Sequence, residues 1–518
     1  MKEYLLGIDI GTTGSKVLII DDRGKVAARA KEEYPVHIPH RLWAEQDPSD
    51  WWRATRAGIH NVLNRSRIKP GQISAVGLTG QMHGLVSLDR QGKVTRPCIM
   101  WNDQRTARQC QTILRRVGLK NLLKLTGNTV LPGFTLPKIL WIRDQEPAGY
   151  DRIANIMLPK DYVRFMMTGA ILSDVADASG TALFDVGRRR WSEEMIKIFK
   201  IPRTWLPVVT ESPVVSSRVS RSGSRATGLR VGTPVIAGAG DQAAQAVGTG
   251  IVDESYASVT IGTSGVVFAA CRTFRTEPAG RLHAFCHAVP GRWHLMGVML
   301  SAGGSLRWFR DTLAMTELAE ARIRNADVYD LITRQAAKVR PGSDGLIFLP
   351  YLAGERTPYA DPDARGVFFG LSLLHNKNHL GRAVIEGVTF GLLDSLNLLR
   401  QAGIRVRKIR ISGGGSRSCF WRQLISDIFG MEAATVNITE GAAYGAALLA
   451  GVGCGVFPNV QAAAGQAVRV RFIHKPGPDR RIYPDYYRRY KSLYKLLAAE
   501  FKDLTKVVDK HRVVKDNH

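Results

Sequence analysis

Short apolar runs, each broken by a glycine-rich turn, set the rhythm of this chain. Leu6-Gly7-Ile8-Asp9-Ile10 is followed, after Gly11-Thr12-Thr13-Gly14-Ser15-Lys16, by a second run, Val17-Leu18-Ile19-Ile20. Two β-branched strands around a glycine-bracketed turn predict a hairpin. Asp21-Asp22-Arg23-Gly24 supplies another turn, so residues 4–34 read as a three-strand meander. Asp47-Pro48-Ser49 then caps a helix carrying Trp51 and Trp52, with proline early, where its missing N–H is harmless. Ile73 to Leu78 is a buried strand ending at Thr79-Gly80-Gln81-Met82-His83-Gly84. Thr233 to Gly240 is another, ending on the carboxylate of Asp241. Strands and helices alternate throughout, which is the α/β pattern.

The hairpin recurs. Val259-Thr260-Ile261 leads through Gly262-Thr263-Ser264-Gly265 into Val266-Val267-Phe268 and opens a second lobe. The last strand of that lobe is expected at Arg407–Ile411, running into Ser412-Gly413-Gly414-Gly415-Ser416, where a helix begins. Gly441 to Phe457 is apolar but holds five glycines and is too short for a bilayer, so it reads as a buried helix running into a loop. From about residue 476 the chain turns basic and tyrosine-rich, predicting a terminal helix packed on the lobe with an end that frays beyond Lys506.

Glycines let a hairpin turn bring backbone N–H groups close to an anion, and threonine hydroxyls add donors beside them. One such turn is more often an ordinary hairpin. Two of them, with Asp9 at the end of the first strand, point to a polyphosphate held between two lobes. Neither common phosphate loop fits: there is no G-x-x-x-x-G-K-[ST] run, and Gly11 opens a strand-turn-strand rather than a strand-turn-helix. Ligands of open α/β folds bind at the carboxyl ends of strands, where Asp9, His83, Asp241 and Gly413 to Gly415 are all placed. Taken alone, Asp241 fits a helix N-cap as well as a base.

Composition narrows the setting. A chain of 518 residues exceeds one core and predicts two or three domains. Hydrophobic content of 45% and charged content of 23% suit a soluble globular protein. The six cysteines are scattered without a C-x-x-C, so buried reduced thiols are expected rather than disulfides or zinc. Asp9 interrupts the first apolar stretch before a signal peptide could form, and a cytoplasmic location is expected. The net charge of +27 is spread along the chain without a nucleic-acid motif. It reads as a solvated basic surface suited to anionic substrates, not as a nucleic-acid or membrane face.

Landmarks from residue 4 to about residue 500 resemble the FGGY carbohydrate kinases, of the actin/hexokinase-like (ribonuclease H-like) ATPase fold. The matching stretches include Leu42-Trp43-Ala44-Glu45-Gln46-Asp47-Pro48, Gly80-Gln81-Met82-His83-Gly84, Trp101-Asn102-Asp103 and Pro132-Gly133-Phe134-Thr135. Leu158-Pro159-Lys160-Asp161-Tyr162, Phe285-Cys286-His287-Ala288 and Leu349-Pro350-Tyr351-Leu352-Ala353-Gly354-Glu355-Arg356-Thr357-Pro358 match as well. Within that family they are most similar to the xylulokinase branch, since glycerol kinases carry Arg-Glu at the place of Met82-His83. Gln242 departs from the xylulokinase asparagine and matches glycerol kinases.

The resemblance implies a two-lobed α/β fold with an interdomain cleft: an N-terminal lobe over residues 1–248, a C-terminal lobe over 249–475, and a basic helix and tail over 476–518. It implies ATP-dependent phosphorylation of D-xylulose, with other ketoses or polyols such as ribulose, xylitol and glycerol as alternatives, and a non-catalytic actin-like protein as a further one. Asp241 matches the general base and Asp9 the acid holding Mg²⁺. Met82, His83, Asp241 and Gln242 match the sugar side. Thr12, Thr13, Lys16 and Thr263 match phosphate contacts, and Gly303, Gly414 and Gly415 the floor of the nucleotide site. The implied partners are the sugar and ATP, and a homodimer is compatible with them.

Overall fold

The computed structural model describes residues 3–513. The chain divides into two compact units. The first gathers residues 1–253, 270–295 and 438–469, and the second gathers 254–269, 296–437 and 470–518.

In the first unit, β1 (Tyr4–Ile10), β2 (Gly14–Asp21) and β3 (Val26–Glu33) form the expected meander. Its second turn closes on Asp21, whose Oδ1 accepts from the N–H groups of Arg23 and Lys25 while Gly24 takes a φ of 80°. Helix α1 (Pro48–Ser66) starts as the proline predicts, with Asp47 accepting from Ser49 N–H at 2.8 Å. β4 (Ile73–Gly80) runs parallel to β1. Helix α2 (Pro159–Thr168) follows, then β5 (Val215–Arg218) and β6 (Pro234–Ile236), giving the order β5-β6-β4-β1-β2-β3.

Alternation along β1 sorts its side chains onto two faces. Leu6, Ile8 and Ile10 join a core that includes Trp51 and Ile59 of α1. Leu5, Gly7 and Asp9 share the opposite face by the period of two, and Leu5 enters a second core with Ala443, Ala447 and Leu448. Those belong to the Gly441–Gly453 helix, which is buried as the sequence predicts. It lies so close that a Cβ on Gly7 would strike the carbonyl of Ala443, and one on Gly77 the carbonyl of Ala446.

The strand expected over Thr233–Gly240 is broken. After β6 the chain turns at Gly238, whose φ of 78° and contact with the Leu78 carbonyl exclude a side chain. It then makes a two-residue strand, β7 (Ala239–Gly240), whose residues pair with Thr79 and Gly80. Helix α3 (Asp241–Gly248) begins immediately afterwards.

The second unit repeats the hairpin. β8 (Tyr256–Ile261) pairs antiparallel with β9 (Gly265–Cys271), and helices α4 (Gly303–Leu313) and α5 (Lys377–Gln401) follow. β10 (Lys408–Ser412) pairs parallel with β8, as β4 does with β1. β10 is not the last strand. After α6 (Cys419–Phe429), β11 (Glu432–Val436) pairs with β10, and β12 (Val470–His474) pairs with β11. β11 is alanine-rich, and β12 is a short, mostly exposed edge strand whose apolar residues are interrupted by Arg471 and so form no continuous buried run.

The terminal helix α7 (Tyr483–Val513) continues past Lys506, and the tail beyond Val513 lies outside the described residues. Tyr490 is fully buried and accepts a hydrogen bond from Tyr351 at 3.0 Å. Among the described residues no disulfide joins the cysteines, and not all of them are buried: Cys419 is exposed at the start of α6, and Cys110 and Cys454 are half-buried. No described helix is long and apolar enough to cross a membrane.

Candidate active site

Parallel pairing places the acids of the first unit. Asp9 pairs across β1 and β4 with Thr79, which pairs in turn with Ala239, two residues before Asp241. Asp9 is 6% exposed, and its Oδ1 has no hydrogen-bond partner. Lys16, its partner across the hairpin, brings Nζ within 4.0 Å of Oδ2. Burial pushes the Asp9 carboxyl up to about 6 even though the Lys16 charge pulls it down.

Asp241 occupies the first turn of α3 rather than its N-cap, which is Gly240. Its Oδ1 accepts from Gln242 N–H at 2.7 Å. Burial first and the Asp9 charge second raise it to about 7, while Gln242 and Lys16 pull the other way. Two carboxylates that feel each other's charge ionise less readily than either would alone. Both carboxyls are therefore held close to the neutral range, Asp9 at about 6 and Asp241 at about 7.

The first turn is held from outside. Gly11 N–H donates to Gly14 O at 3.1 Å, and Tyr34 Oη donates to Gly11 O at 2.6 Å. Thr12 O accepts from Gln46 Nε2 at 2.7 Å, and Thr12 Oγ1 accepts from Trp101 Nε1 at 3.1 Å. Trp101 uses only one lone pair of that hydroxyl, so its proton stays free to donate. Thr13 is exposed at the tip.

Met82 and His83 follow β4. Met82 is 5% exposed and fills the space where Gly240 would carry a Cβ, 2.8 Å from its Sδ, which sets it beside Asp241. His83 has a φ of 69°, a left-handed conformation that a non-glycine residue keeps only when its surroundings enforce it. They do so here. Its carbonyl accepts from Lys138 Nζ at 2.8 Å and Thr135 Oγ1 at 3.1 Å, Nδ1 meets Gly180 O at 2.7 Å, and the ring stacks on Phe134.

Beneath these residues lies an ion cluster that sequence reading missed. Lys160 Nζ contacts Asp161 at 2.5 Å, Asp174 at 2.6 Å and Asp177 at 3.2 Å, and Arg164 reaches Asp161 at 2.5 Å. All five side chains are at most 1% exposed. Burial raises the Asp174 and Asp177 carboxyls, Asp177 far above its ordinary range. With an ammonium at its centre, the cluster is a structural support and not a metal centre. Asp174 caps the short helix Val175–Ala178, which leads directly to Gly180, the His83 partner.

In the second unit, glycines draw three loops together. Gly303 N–H donates to Gly262 O at 2.8 Å, while Ala302 and Gly304 N–H donate to Thr263 O at 2.9 and 3.0 Å. Gly413 has a φ of 83° and packs on Ile261 O, as Gly415 packs on the Ile261 side chain. Between them is a cavity of about 550 Å³, lined by Thr263, Gly303, Arg307, Gly414, Gly415 and Trp421 among others. That is the size of a small-ligand site. The glycine run leads into a short 3₁₀ turn, Gly414–Arg417, and Ser418 caps α6. Thr263, Gly303, Gly414 and Gly415 are therefore brought together within the second unit, as Asp9, Met82, Asp241 and Gln242 are within the first.

Comparison with known proteins agrees over nearly the whole chain. Residues 4–248 match the N-terminal domain of the FGGY family of carbohydrate kinases, and residues 257–454 match its C-terminal domain. The xylulose kinase of Escherichia coli (strain K12) is 40% identical over 427 residues, 82% of this chain and 85% of that one. The gluconokinase of Bacillus subtilis (strain 168) is 33% identical over 452 residues, 87% of each chain. Among solved structures, a "xyloylose kinase" from Brucella ovis superposes with a TM-score of 0.87 at 36% identity, covering 96% of this chain and 100% of its own. The chain belongs to the FGGY family of carbohydrate kinases and is a sugar phosphotransferase of the actin/hexokinase-like fold.

Proposed function

We propose that the protein transfers the γ-phosphate of ATP to D-xylulose, giving D-xylulose 5-phosphate. The observation that carries this reading is Asp241, a carboxyl raised to about 7 beside Met82. A general base works best when its pKa lies near the operating pH. Asp241 accepts the proton of the attacking sugar hydroxyl, and the fixed backbone carbonyl of His83 anchors the loop that receives the sugar. Phosphoryl transfer is mostly positioning and charge neutralisation, which the held Thr12-Thr13 turn, Lys16 and the cavity of the second unit are suited to provide. Xylulose kinases among the relatives support the choice of sugar.

A divalent cation fits Asp9, whose buried Oδ1 has no other partner and whose charge the protein alone disfavours. Mg²⁺ held there would neutralise phosphate charge. Thr12, Thr13, Lys16 and Thr263 are read as phosphate contacts and Gly303, Gly414 and Gly415 as the nucleotide floor. The deciding experiment is ADP release across a panel of ketoses, polyols and gluconate. D-xylulose should give the highest kcat/KM, and a higher value for any other sugar overturns the assignment.

Acidification should inactivate the enzyme. The base is competent only without its proton, so kcat/KM should fall about tenfold per pH unit below a pKa near 7. A profile flat from pH 8 to pH 5 would remove Asp241 from that role.

Gln242 supports a second reading, phosphorylation of another ketose or polyol. It adjoins the base, and its side chain is one methylene longer than asparagine. One methylene is worth roughly 10–200-fold in discrimination. Gln242→Asn should therefore shift the ratio of kcat/KM between D-xylulose and its competitors more than it changes kcat for the best sugar. A ratio that stays fixed across the panel means that Gln242 does not touch the sugar.

A further inference from the structure

The two hairpins look alike but differ in charge. The first carries its own cation, Lys16, two residues past Gly14. At the corresponding place after Gly265 the second has Val267, fully buried. Nor can the first backbone N–H groups of α4 serve an anion, because Gly303 and Gly304 already donate theirs to Gly262 O and Thr263 O. A phosphate arriving at this loop meets neither a lysine of the hairpin nor those two helix donors.

Arg307, one turn into α4, fills the gap. Its Nη2 donates to Thr263 Oγ1 at 3.0 Å, and the residue lines the cavity. Among the described residues no carboxylate forms an ion pair with it; Asp311, one turn on, feels only its charge. The lining's other cation, Arg417, belongs to the 3₁₀ turn after the glycine run and not to the hairpin side. The acids of the lining are engaged. Asp327 accepts from Tyr329 N–H at 2.8 Å, and Asp330 pairs with Arg334 at 2.7 Å. An exposed guanidinium held on a neutral hydroxyl is a weakly satisfied cation. A polyphosphate offers it charge-assisted, bidentate partners that the hydroxyl cannot match.

We propose that Arg307 is the phosphate-binding cation of the second hairpin: it leaves the Thr263 hydroxyl, whose own proton is already free to donate, to grip the nucleotide's polyphosphate. The proposal rests on reading the cavity as the nucleotide site. It separates the two parts of the ligand, because Arg307 acts on phosphates and not on the nucleoside.

Titration calorimetry of wild-type protein, Arg307→Gln and Arg307→Lys with ADP and with adenosine tests it. Arg307→Gln should weaken ADP at least tenfold and leave adenosine within twofold, and Arg307→Lys should fall between, keeping the charge but losing the fork. Because Arg307 is exposed, these variants should melt within a degree or two of wild type. ADP affinity unchanged in Arg307→Gln overturns the proposal, as does equal weakening of ADP and adenosine, which would make Arg307 a wall of the pocket. If wild-type protein binds neither ligand, the nucleotide reading itself falls and the proposal with it.

Discussion

Asp241→Asn should lower kcat by about 10²–10⁴-fold, the usual worth of a positioned base, while ADP binding and thermal stability survive. The arithmetic of charge explains the asymmetry. Folding already disfavours the ionised Asp241, since its carboxyl is held near 7 by burial and by Asp9. A raised carboxyl binds more protons in the folded than in the unfolded state, so its contribution to stability falls as pH rises from about 4 to 7. Above that window asparagine removes a destabilising charge, and the variant should melt no lower than wild type at pH 8. Steady-state rates and melting curves at that pH decide the matter. A loss of kcat below tenfold, or a lower melting temperature, would mean that the carboxylate is there for architecture.

The largest structural effect should come from Lys160→Met. Methionine fills the volume but leaves Asp161, Asp174 and Asp177 with Arg164 as the one remaining cation of the cluster. Removing one partner from a buried ion group costs about 3–5 kcal/mol. For a chain of 518 residues, unfolding with about 2.1 cal/mol/K of entropy per residue, that corresponds to roughly 3–5 °C in melting temperature. The deficit should shrink on acidification, because the stranded carboxyls, raised by burial, take up protons in the folded state as pH falls. Melting curves at pH 8 and pH 5 test both parts. A shift under 2 °C at pH 8, or one that grows at pH 5, would show that the cluster is solvated in practice.

What could be read from sequence followed local chemistry. Gly11 to Gly14 and Gly262 to Gly265 are legible because a hairpin turn demands glycine where β-branched strands meet, and Asp47-Pro48 because a helix start has its own grammar. The acids Asp9 and Asp241 were placed at strand ends for the same reason. The misses depended on contacts far along the chain. Gly238 breaks a strand only because Leu78 O occupies its Cβ position. Lys160, Asp161 and Arg164 look like the polar face of a surface helix, and nothing nearby reveals that Asp174 and Asp177 will close over them. Gln46 and Trp101 were visible within matching stretches. Their service to Thr12 became apparent only when hydrogen bonds joined residues 34 and 89 positions apart. The Lys138 and Thr135 bonds that hold His83 in a left-handed backbone were hidden in the same way.

The Gly441–Gly453 helix has a consequence for the order in which the chain is made. Its backbone presses against Gly7 and Gly77, so no side chain of the early strands can stand in for it. During synthesis, Leu5 and Ala75 must wait with one face uncovered until the ribosome has passed residue 453. The first unit is begun early and finished late. Nascent chains of intermediate length therefore carry an open apolar sheet, the state in which folding chains aggregate, and a chaperone has most to shield in that interval.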